Sequence, residues 1–494
     1  MLGATLRIGR SLADAVVVGA GPNGLAAAIT LARAGRSVKV IECAEEIGGG
    51  TRTAELTLPG FRHDVCAAVH PLAVASPFLS SLGLERHGLR FAYADLEAAH
   101  PLDDGSAVAL HRSLEATAAT LGVDARAYES LMAPFQAGWP ALSRFVLGPP
   151  LGGLPRDPLL VARFAAVGVR PARWFARGRF AGERARALFA GMAAHSIQPL
   201  GAPGTSAFAL VLMALGHAVR WPVASGGSAS ISSALLAELV ALGARIQTGR
   251  EVRSLRDGDD LVAAKAILFD VSPRSLLAIC DSPDDLPRWY RGLLSRFRYG
   301  PGVFKVDYAL SGPVPWRAPE CRVAGTVHLG GRLDEIAASE AAVARGRHPE
   351  RPYVLVAQQS LVDRTRVPQE AADSAAQTLW AYCHVPNGSS VDMTAAIEAQ
   401  IERFAPGFRD LVLARATRTA ASYETYDPNY VGGDINGGAA SLWQTLARPA
   451  PSPVPYATPN PRVFLCSAST PPGGGVHGMC GHNAARAALR RALR

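Results

Sequence analysis

Residues 15–42 read AVVVGAGPNGLAAAITLARAGRSVKVIE, and this stretch decides the fold. The run Ala15 to Val18 is short, apolar and rich in β-branched residues, as a strand buried on both faces requires. A glycine-rich turn follows, then an alanine-rich helix with Gly35 placed to cap its C-terminus. Ser37 to Ile41 predicts a second strand, which ends at Glu42. Strand, helix and strand in that order make one βαβ unit of a parallel sheet.

The turn carries Gly19-x-Gly21-x-x-Gly24. The first glycine permits the tight turn, the second lets a pyrophosphate approach the backbone, and the third lets helix and strand pack closely. Pro22 and Asn23 open the helix, where a missing N–H costs little. Free N–H groups and the positive dipole end there favour phosphates. Glu42, at the tip of the second strand, is placed to accept hydrogen bonds from an adenosine ribose. A second glycine run follows, Ile47-Gly48-Gly49-Gly50-Thr51-Arg52. Gly49, Gly50, Thr51 and Arg52 can wrap the same pyrophosphate from its far side, which favours FAD. The tail STPPGGGVHGMCGHNAARAAL (residues 469–489) predicts a flexible loop, Gly473 to Gly475, feeding a helix from about His482 or Asn483. Such a helix end would favour negative charge on a reduced flavin ring.

Outside these motifs the chain is 494 residues long, with 49% apolar and 18% charged residues, so it is a packed chain of two or three lobes. The net charge is +9, yet Lys39, Lys265 and Lys305 are its only lysines. No lysine-rich tail and no interleaved aromatic-basic stretch supports a nucleic-acid partner. Seven cysteines at irregular spacing, without a C-x-x-C pair, argue against a metal site or a redox disulfide and for a reducing compartment. Met1 to Leu12 lacks a signal-peptide apolar core, and the longest apolar stretch, near Ala207 to Leu215, is too short to span a bilayer. The expected location is cytoplasmic, with peripheral membrane contact left open. Leu159 to Phe180 mixes Phe164, Trp174, Phe175 and Phe180 with arginines, and reads either as an amphipathic surface helix or as a helical lobe with snorkelling arginines.

The organisation predicted is α/β: a Rossmann-like FAD-binding domain with an inserted mixed α+β substrate domain. Residues 12–75, 222–290 and 455–494 form the discontinuous FAD-binding domain. Residues 76–221 and 291–454 form the substrate domain, a helical lobe plus a sheet. Pro-Gly punctuation marks Gly148 to Pro158, and Ser225 to Ser228 marks a return to the first lobe. Further expected elements are a helix from Ala229 to Leu242 ended by Gly243, another from Met393 to Phe404, and strands near Glu251–Leu255, Ala266–Phe269, Val303–Leu310, Tyr353–Gln358 and Val463–Cys466.

The glycine motif, the GGGTRT run, PGFRHDVCAAVHPLAVASP (residues 59–77), YGPGVFKVDYALSGPVPW (299–316), GTVHLGG (325–331), NYVGGDINGGA (429–439) and the glycine-rich tail together resemble the phytoene dehydrogenase-related flavoproteins. Within them the likeness is to the pyridine nucleotide-disulfide oxidoreductase domain-containing protein 2 subgroup. The resemblance implies an FAD fold akin to amine oxidases and carotenoid desaturases. It also implies that Val252 lends its backbone to the adenine and that Gly475, Val476, His477, Gly478 and Met479 lie beside the flavin. No close cysteine pair follows Glu42, and no second strand–GxGxxG–helix unit is present. Electrons are therefore expected to leave to oxygen or a quinone rather than to bound NAD. Ser467 stands where related oxidases often carry an acid near the ribityl chain.

Lys305 is the first catalytic candidate. In an arginine-dominated chain a retained lysine points to a need for a compact ammonium or a neutral amine. Its strand resembles the one on which amine oxidases place a lysine near flavin N5; the alternative is a lysine snorkelling to solvent. His70 and His195 are candidate bases, each also readable as a structural histidine. Tyr426, Tyr430 and Trp443 flank Gly432-Gly433-Asp434 as a pocket wall or as ordinary core aromatics. No nucleophile elbow is present. The expected activity is hydride transfer from an apolar or natural-product small molecule to non-covalent FAD, with oxygen or a quinone as acceptor. Amine oxidation, redox-neutral isomerisation or reduction, and a flavin-binding scaffold are the alternatives.

Overall fold

The computed structural model describes residues 12–149, 153–368 and 375–494. The reading of the N-terminal segment before residue 12, and of residues 150–152 in the Pro-Gly stretch, lies outside the described residues. In chain order the strands are β1 (Ala15–Val18), β2 (Val38–Ile41), β3 (Thr53–Glu55), β4 (Arg62–Asp64), β5 (Phe91–Ala92), β6 (Leu96–Pro101), β7 (Ala107–Leu110) and β8 (Val223–Ala224). They continue as β9 (Arg245–Gln247), β10 (Ala266–Phe269), β11 (Gly302–Leu310), β12 (Ala324–Leu329), β13 (Val354–Ala357), β14 (Gln377–Val385), β15 (Val412–Arg418) and β16 (Val463–Leu465).

The first sheet is parallel, in the order β16-β10-β1-β2-β9. β1 lies at its centre and is apolar on both sides for a simple reason. Ala15 and Val17 pack beneath the helices Pro22–Arg33 and Met479–Arg491, while Val16 and Val18 pack against Leu261, Leu276 and Tyr290 on the opposite face. The helix Pro22–Arg33 stops where expected, with Gly35 at φ +76 just beyond its end. Strand order reverses around β1, which leaves a crevice at the carboxyl ends of β1 and its neighbours.

The second sheet has seven strands in the order β15-β11-β14-β13-β12-β6-β7, antiparallel except for β6 beside β12. One face, bearing Val303, Leu355, Trp380 and Tyr382, packs on the helical lobe, in which Phe189, Leu210 and Met213 are buried. The opposite face, bearing Phe304, Val306, Val356 and Ala381, packs on Ile397, Ile401 and Phe404 of the helix Thr394–Phe404. Register places His328 opposite Leu355, Leu355 opposite Tyr382, Tyr382 opposite Lys305, and Lys305 opposite Arg418. These residues form one transverse row on the face toward the helical lobe.

Three local expectations are corrected. The strand after the helix Ala229–Ala241 is Arg245–Gln247, whereas residues 251–253 are irregular and lead into a turn at 254–257. The Asp257 carboxylate closes that turn, accepting from the N–H of Arg253 (2.5 Å) and of Ser254 (2.9 Å). Leu159 to Phe180 is two helices, Pro158–Gly168 and Ala172–Arg179, because Pro171 cannot continue the first. Phe164, Phe175 and Phe180 are core, while Trp174 is exposed. The terminal helix starts at Met479, after Gly478 at φ +67 turns the chain into it. Among the described residues no helix is long and apolar enough to cross a membrane.

Candidate cofactor and substrate site

The glycine motif is a steric necessity. A Cβ on Gly24 would lie 2.1 Å from the carbonyl oxygen of Gly19, and one on Gly21 would lie 2.9 Å from Asp270 Oδ2. Gly19 itself sits at φ +103. A Cβ on Gly481 would lie 1.7 Å from Asn23 O, so the terminal helix crosses the first helix in direct backbone contact. The N-terminal ends of two helices therefore converge on one loop. The second glycine run lies against the first, since a Cβ on Gly49 would stand 3.3 Å from Gly21 Cα. Thr51 is buried and donates to Gly48 O (2.7 Å), which fixes this run.

Glu42 is held at the tip of β2. Its Oε2 accepts from Ala20 N (2.7 Å) and its Oε1 from Ala44 N (3.0 Å), with acceptor capacity left for a further donor. Arg52 reaches Glu42 at 3.7 Å, donates to Glu46 O (2.6 Å) and lies over the Tyr426 ring. Val252 is buried, and no hydrogen bond engages its backbone N–H or C=O among the described residues. An adenine edge would satisfy both groups. Asn23 Oδ1 and Asn483 Nδ2, at the starts of the two helices, are likewise buried without partners.

The C-terminal loop closes the other side. Ser467 is buried, its Oγ accepting from Ser469 N (3.3 Å). Gly475, at φ +117, leaves room only for Leu72, whose Cδ1 would lie 2.5 Å from a Cβ there. His477 is locked as a neutral imidazole: Nδ1 accepts from Met479 N (3.0 Å), so Nε2 carries the hydrogen and donates to Gly473 O (3.2 Å). Burial lowers its basicity to about 4. Ser76 Oγ donates to His477 O (2.6 Å) and ties this loop to the segment after His70. Val476 to Met479 thus lie beside Leu72 and the first helix.

Asp270 belongs to this site and sequence reasoning missed it. It follows β10, and its Oδ2 accepts from Gly24 N (2.8 Å), one of the N–H groups a phosphate would otherwise take. Burial pushes its carboxyl up to about 7, with Asp427 and Glu42 adding like-charge repulsion. The available signal was position: the residue after a parallel strand next to β1 faces the crevice where strand order reverses.

Lys305 is fully buried rather than snorkelling. Nζ donates to Asp64 O (2.8 Å) and to Asp307 Oδ2 (2.5 Å), and lies over the Trp380 ring. Burial lowers the lysine's basicity and pushes Asp307 up to about 6. Asp64 in turn pairs with Arg366 (2.9 Å) and accepts from Ser228 N (2.7 Å). His70 joins the same knot. Ser228 Oγ donates to Ala67 O, so it accepts from His70 Nε2 (2.9 Å), leaving His70 Nδ1 a lone pair without a partner. Burial holds His70 at about 4. Lys305 and His70 are therefore brought together through Asp64, whereas His195 is placed elsewhere. It bonds His328 (3.0 Å), three strand spacings, or about 14 Å, along the row from Lys305. Tyr426 and Tyr430 lie on the second glycine run, Tyr426 donating to Gly49 O (2.6 Å), while Trp443 is exposed and apart from them.

A family model described as NAD(P)-binding Rossmann-like domain matches residues 17–80. Pyridine nucleotide-disulfide oxidoreductase domain-containing protein 2 of Mus musculus is 27% identical, covering 97% of this chain and 93% of its own. A limonene dehydrogenase component from Castellaniella defragrans is 41% identical over 102 residues, 21% of this chain and 18% of its own. Among solved structures, cyclohexylamine oxidase from Brevibacterium oxydans superposes with a TM-score of 0.59 at 16% identity, covering 98% of this chain and 100% of its own. The chain is thus a relative, over nearly its whole length, of pyridine nucleotide-disulfide oxidoreductase domain-containing protein 2, built on the amine oxidase fold.

Proposed function

We propose that the protein is an FAD-dependent oxidoreductase that dehydrogenates an apolar small molecule and is reoxidised by oxygen or a quinone. The observation that carries this reading is the convergence of two helix N-termini on paired glycine runs, beside a carboxylate with acceptor capacity to spare. The residues fit the cofactor: Gly19 to Gly24, Gly49 to Thr51 and Arg52 for the pyrophosphate, Glu42 for the ribose, Val252 for the adenine, and Ser467 with Gly475 to Met479 for the flavin end. When bound, FAD supplies an acceptor for the hydride that leaves the substrate carbon. The half-buried apolar groups Val69, Leu72, Val211, Leu212 and Ile435 offer a lipophilic wall. His70 is the candidate acceptor for the proton lost with the hydride because its Nδ1 keeps an unpartnered lone pair, against a basicity that burial lowers to about 4. Lys305 holds its ammonium against Asp64 O and Asp307, where it can orient water or oxygen. The burial of Cys480, which pushes its thiol up to about 12, supports non-covalent attachment.

The likeness to the limonene dehydrogenase component supports desaturation of a hydrocarbon. Amine oxidation is the second reading, favoured by the buried Lys305 and the likeness to cyclohexylamine oxidase. Anaerobic bleaching by limonene or by cyclohexylamine separates them, and a holoprotein that no dehydrogenation substrate bleaches and no acceptor reoxidises contradicts both.

Lys305→Met is expected to slow reoxidation by oxygen about a hundredfold, the usual cost of one preorganised polar group, with little change in substrate reduction. Stopped-flow measurement of the two half-reactions checks it.

Asp270 predicts a pH dependence with a definite sign. Its folded value, about 7, lies above the ordinary 3.8, so the folded chain keeps a proton that the unfolded chain releases. Stability from this group is present at low pH and is lost as pH rises through that window. An ionised Asp270 also repels pyrophosphate, so FAD affinity should fall above pH 7, at most about tenfold per pH unit. Asp270→Asn should flatten that profile, as read by flavin fluorescence titration.

A further inference from the structure

The helical lobe turns one apolar helix face outward. In the helix Pro158–Gly168, Leu160, Phe164 and Gly168 are buried, and a Cβ on Gly168 would lie 3.3 Å from Ala207 Cβ on the neighbouring helix Thr205–Ala218. Leu159, Ala162 and Ala166, with Val169 just past the helix end, recur at intervals of three and four residues on the opposite side. All four are exposed, Leu159 at 76% and Val169 at 46%. Two short helices extend this surface. Trp174, on Ala172–Arg179, is 61% exposed, while Phe175 and Ala176 beside it are core. The helix Leu442–Ala447 adjoins the same end of the lobe: Gly204 N donates to Val169 O (3.0 Å), and a Cβ on Gly204 would lie 3.5 Å from Leu442 Cβ. It adds Trp443 and Leu446, both exposed. Exposed apolar groups gathered in this way mark an interaction surface.

The charge on this surface is one-sided. From Trp139 to Gly182 the sequence carries Arg144, Arg156, Arg163, Arg170, Arg173, Arg177 and Arg179 against a single acid, Asp157. Asp157 is occupied as the cap of the helix Pro158–Gly168, accepting from Leu160 N (2.9 Å). Asp334 holds Arg173 (3.2 Å) and Arg177 (2.7 Å), and Arg179 donates to Ala127 O (2.8 Å). Arg170 lies over the Phe175 ring. Arg144, Arg156 and Arg163 are exposed, and their side chains make no ion pair or hydrogen bond among the described residues. Arg163 stands one turn on from Leu159, so its guanidinium flanks the apolar face. Apolar side chains suited to hydrocarbon, bordered by unpaired cations suited to phosphate, are the layout of an element that lies in a membrane interface. A second copy fits poorly, because a two-fold contact sets the same patch against itself, arginine against arginine. An anionic bilayer complements both parts at once, and it suits tryptophan at its boundary.

We propose that this face, from Leu159 to Val169 together with Trp174, docks the protein on an anionic lipid bilayer, lying in the interface without crossing it. Leu159, Val169 and Trp174 enter the acyl boundary, and Arg156 and Arg163 bind lipid phosphates while their stems cover the apolar face. The core aromatics Phe164, Phe175 and Phe180 stay within the lobe. A chain held there meets molecules dissolved in the bilayer, the class to which the proposed apolar substrate and quinone belong, on the lobe that bears Val211 and Leu212. The docking surface stands on its own charges and contacts, whether or not the chain holds FAD.

Flotation of the purified protein with vesicles of phosphatidylcholine alone, and of equal parts phosphatidylcholine and phosphatidylglycerol, tests this without reading the flavin. Binding to the mixed vesicles should be at least about tenfold stronger than to phosphatidylcholine, and raised salt should weaken it. Arg156→Glu with Arg163→Glu should cut binding to the mixed vesicles at least about twentyfold, since each arginine near an anionic surface is worth about fivefold. Leu159→Ser with Trp174→Ser should cut it at least about tenfold by removing inserted apolar groups. All four positions are exposed, so both variants should melt as the wild-type protein does. Arg490→Glu with Arg491→Glu makes the same change in net charge on the exposed end of the terminal helix, and should leave binding unchanged. No flotation with the mixed vesicles, or an equal loss for the terminal-helix variant and the Arg156 and Arg163 variant, would overturn the proposal. So would self-association, read by analytical ultracentrifugation, that the Leu159 and Trp174 variant abolishes in a protein that does not bind vesicles; that result assigns the face to a second copy.

Discussion

Gly24→Ala is expected to abolish retention of FAD while leaving most of the fold standing. The added methyl would lie 2.1 Å from Gly19 O and 3.1 Å from Asp270 Oδ2, and neither a backbone carbonyl nor a buried carboxylate can yield cheaply. The loop must open, which misdirects the N–H groups at the start of the first helix and moves β1 against it. Overpacking of this kind costs about 1 to 3 kcal/mol of stability. Its effect on the cofactor is larger, because the phosphate site is the loop itself. The expected result is apoprotein with a cooperative thermal transition and FAD affinity reduced at least about a hundredfold, or about 2.7 kcal/mol. Gly292→Ala, where an added Cβ meets nothing within 4 Å, serves as the control and should keep its flavin.

Arg366→Leu should be the most destabilising single substitution away from the glycine loop. Arg366 is fully buried, bonding Asp64 Oδ2 (2.9 Å), Asp363 Oδ2 (2.8 Å) and Ala224 O (3.0 Å). Its removal leaves two buried carboxylates uncompensated, a loss of about 3 to 5 kcal/mol. The nearby positive charge on Lys305 is already engaged by Asp307 and Asp64 O and cannot fully replace it. Denaturant midpoints will show the loss, and Arg253→Leu is the contrast. Arg253 pairs with Glu251 at 2.7 Å but both are exposed, so its loss should leave the denaturant midpoint unchanged. A loss of less than about 1 kcal/mol for Arg366→Leu would mean that the knot beneath Lys305 is not held by this charge. The variant should also impair reoxidation, since Asp64 O positions Lys305.

The βαβ unit was legible because its signals are local: a β-branched run, three glycines whose absent side chains matter, and an acid at a strand tip. Lys305 was legible as an oddity of composition, although its burial was not. Asp64, Arg366 and Asp307 were unreadable, since Asp64 and Arg366 are 302 residues apart and meet only in the folded chain. His195 was noticed, but its partner His328 comes from a strand of a mixed sheet, a contact that no local periodicity records. Asp270 was hidden in a strand-to-helix turn of ordinary appearance. Residues 251–255 read as a strand from their composition, but the Asp257 turn overrode that pattern.

The absorption spectrum of the purified protein, taken before and after denaturing precipitation, tests the central claim most directly. Non-covalent FAD predicts a flavin band in the native protein that moves wholly to the supernatant. A colourless protein that added FAD cannot reconstitute would contradict the account, and colour retained by the pellet would contradict its non-covalent attachment.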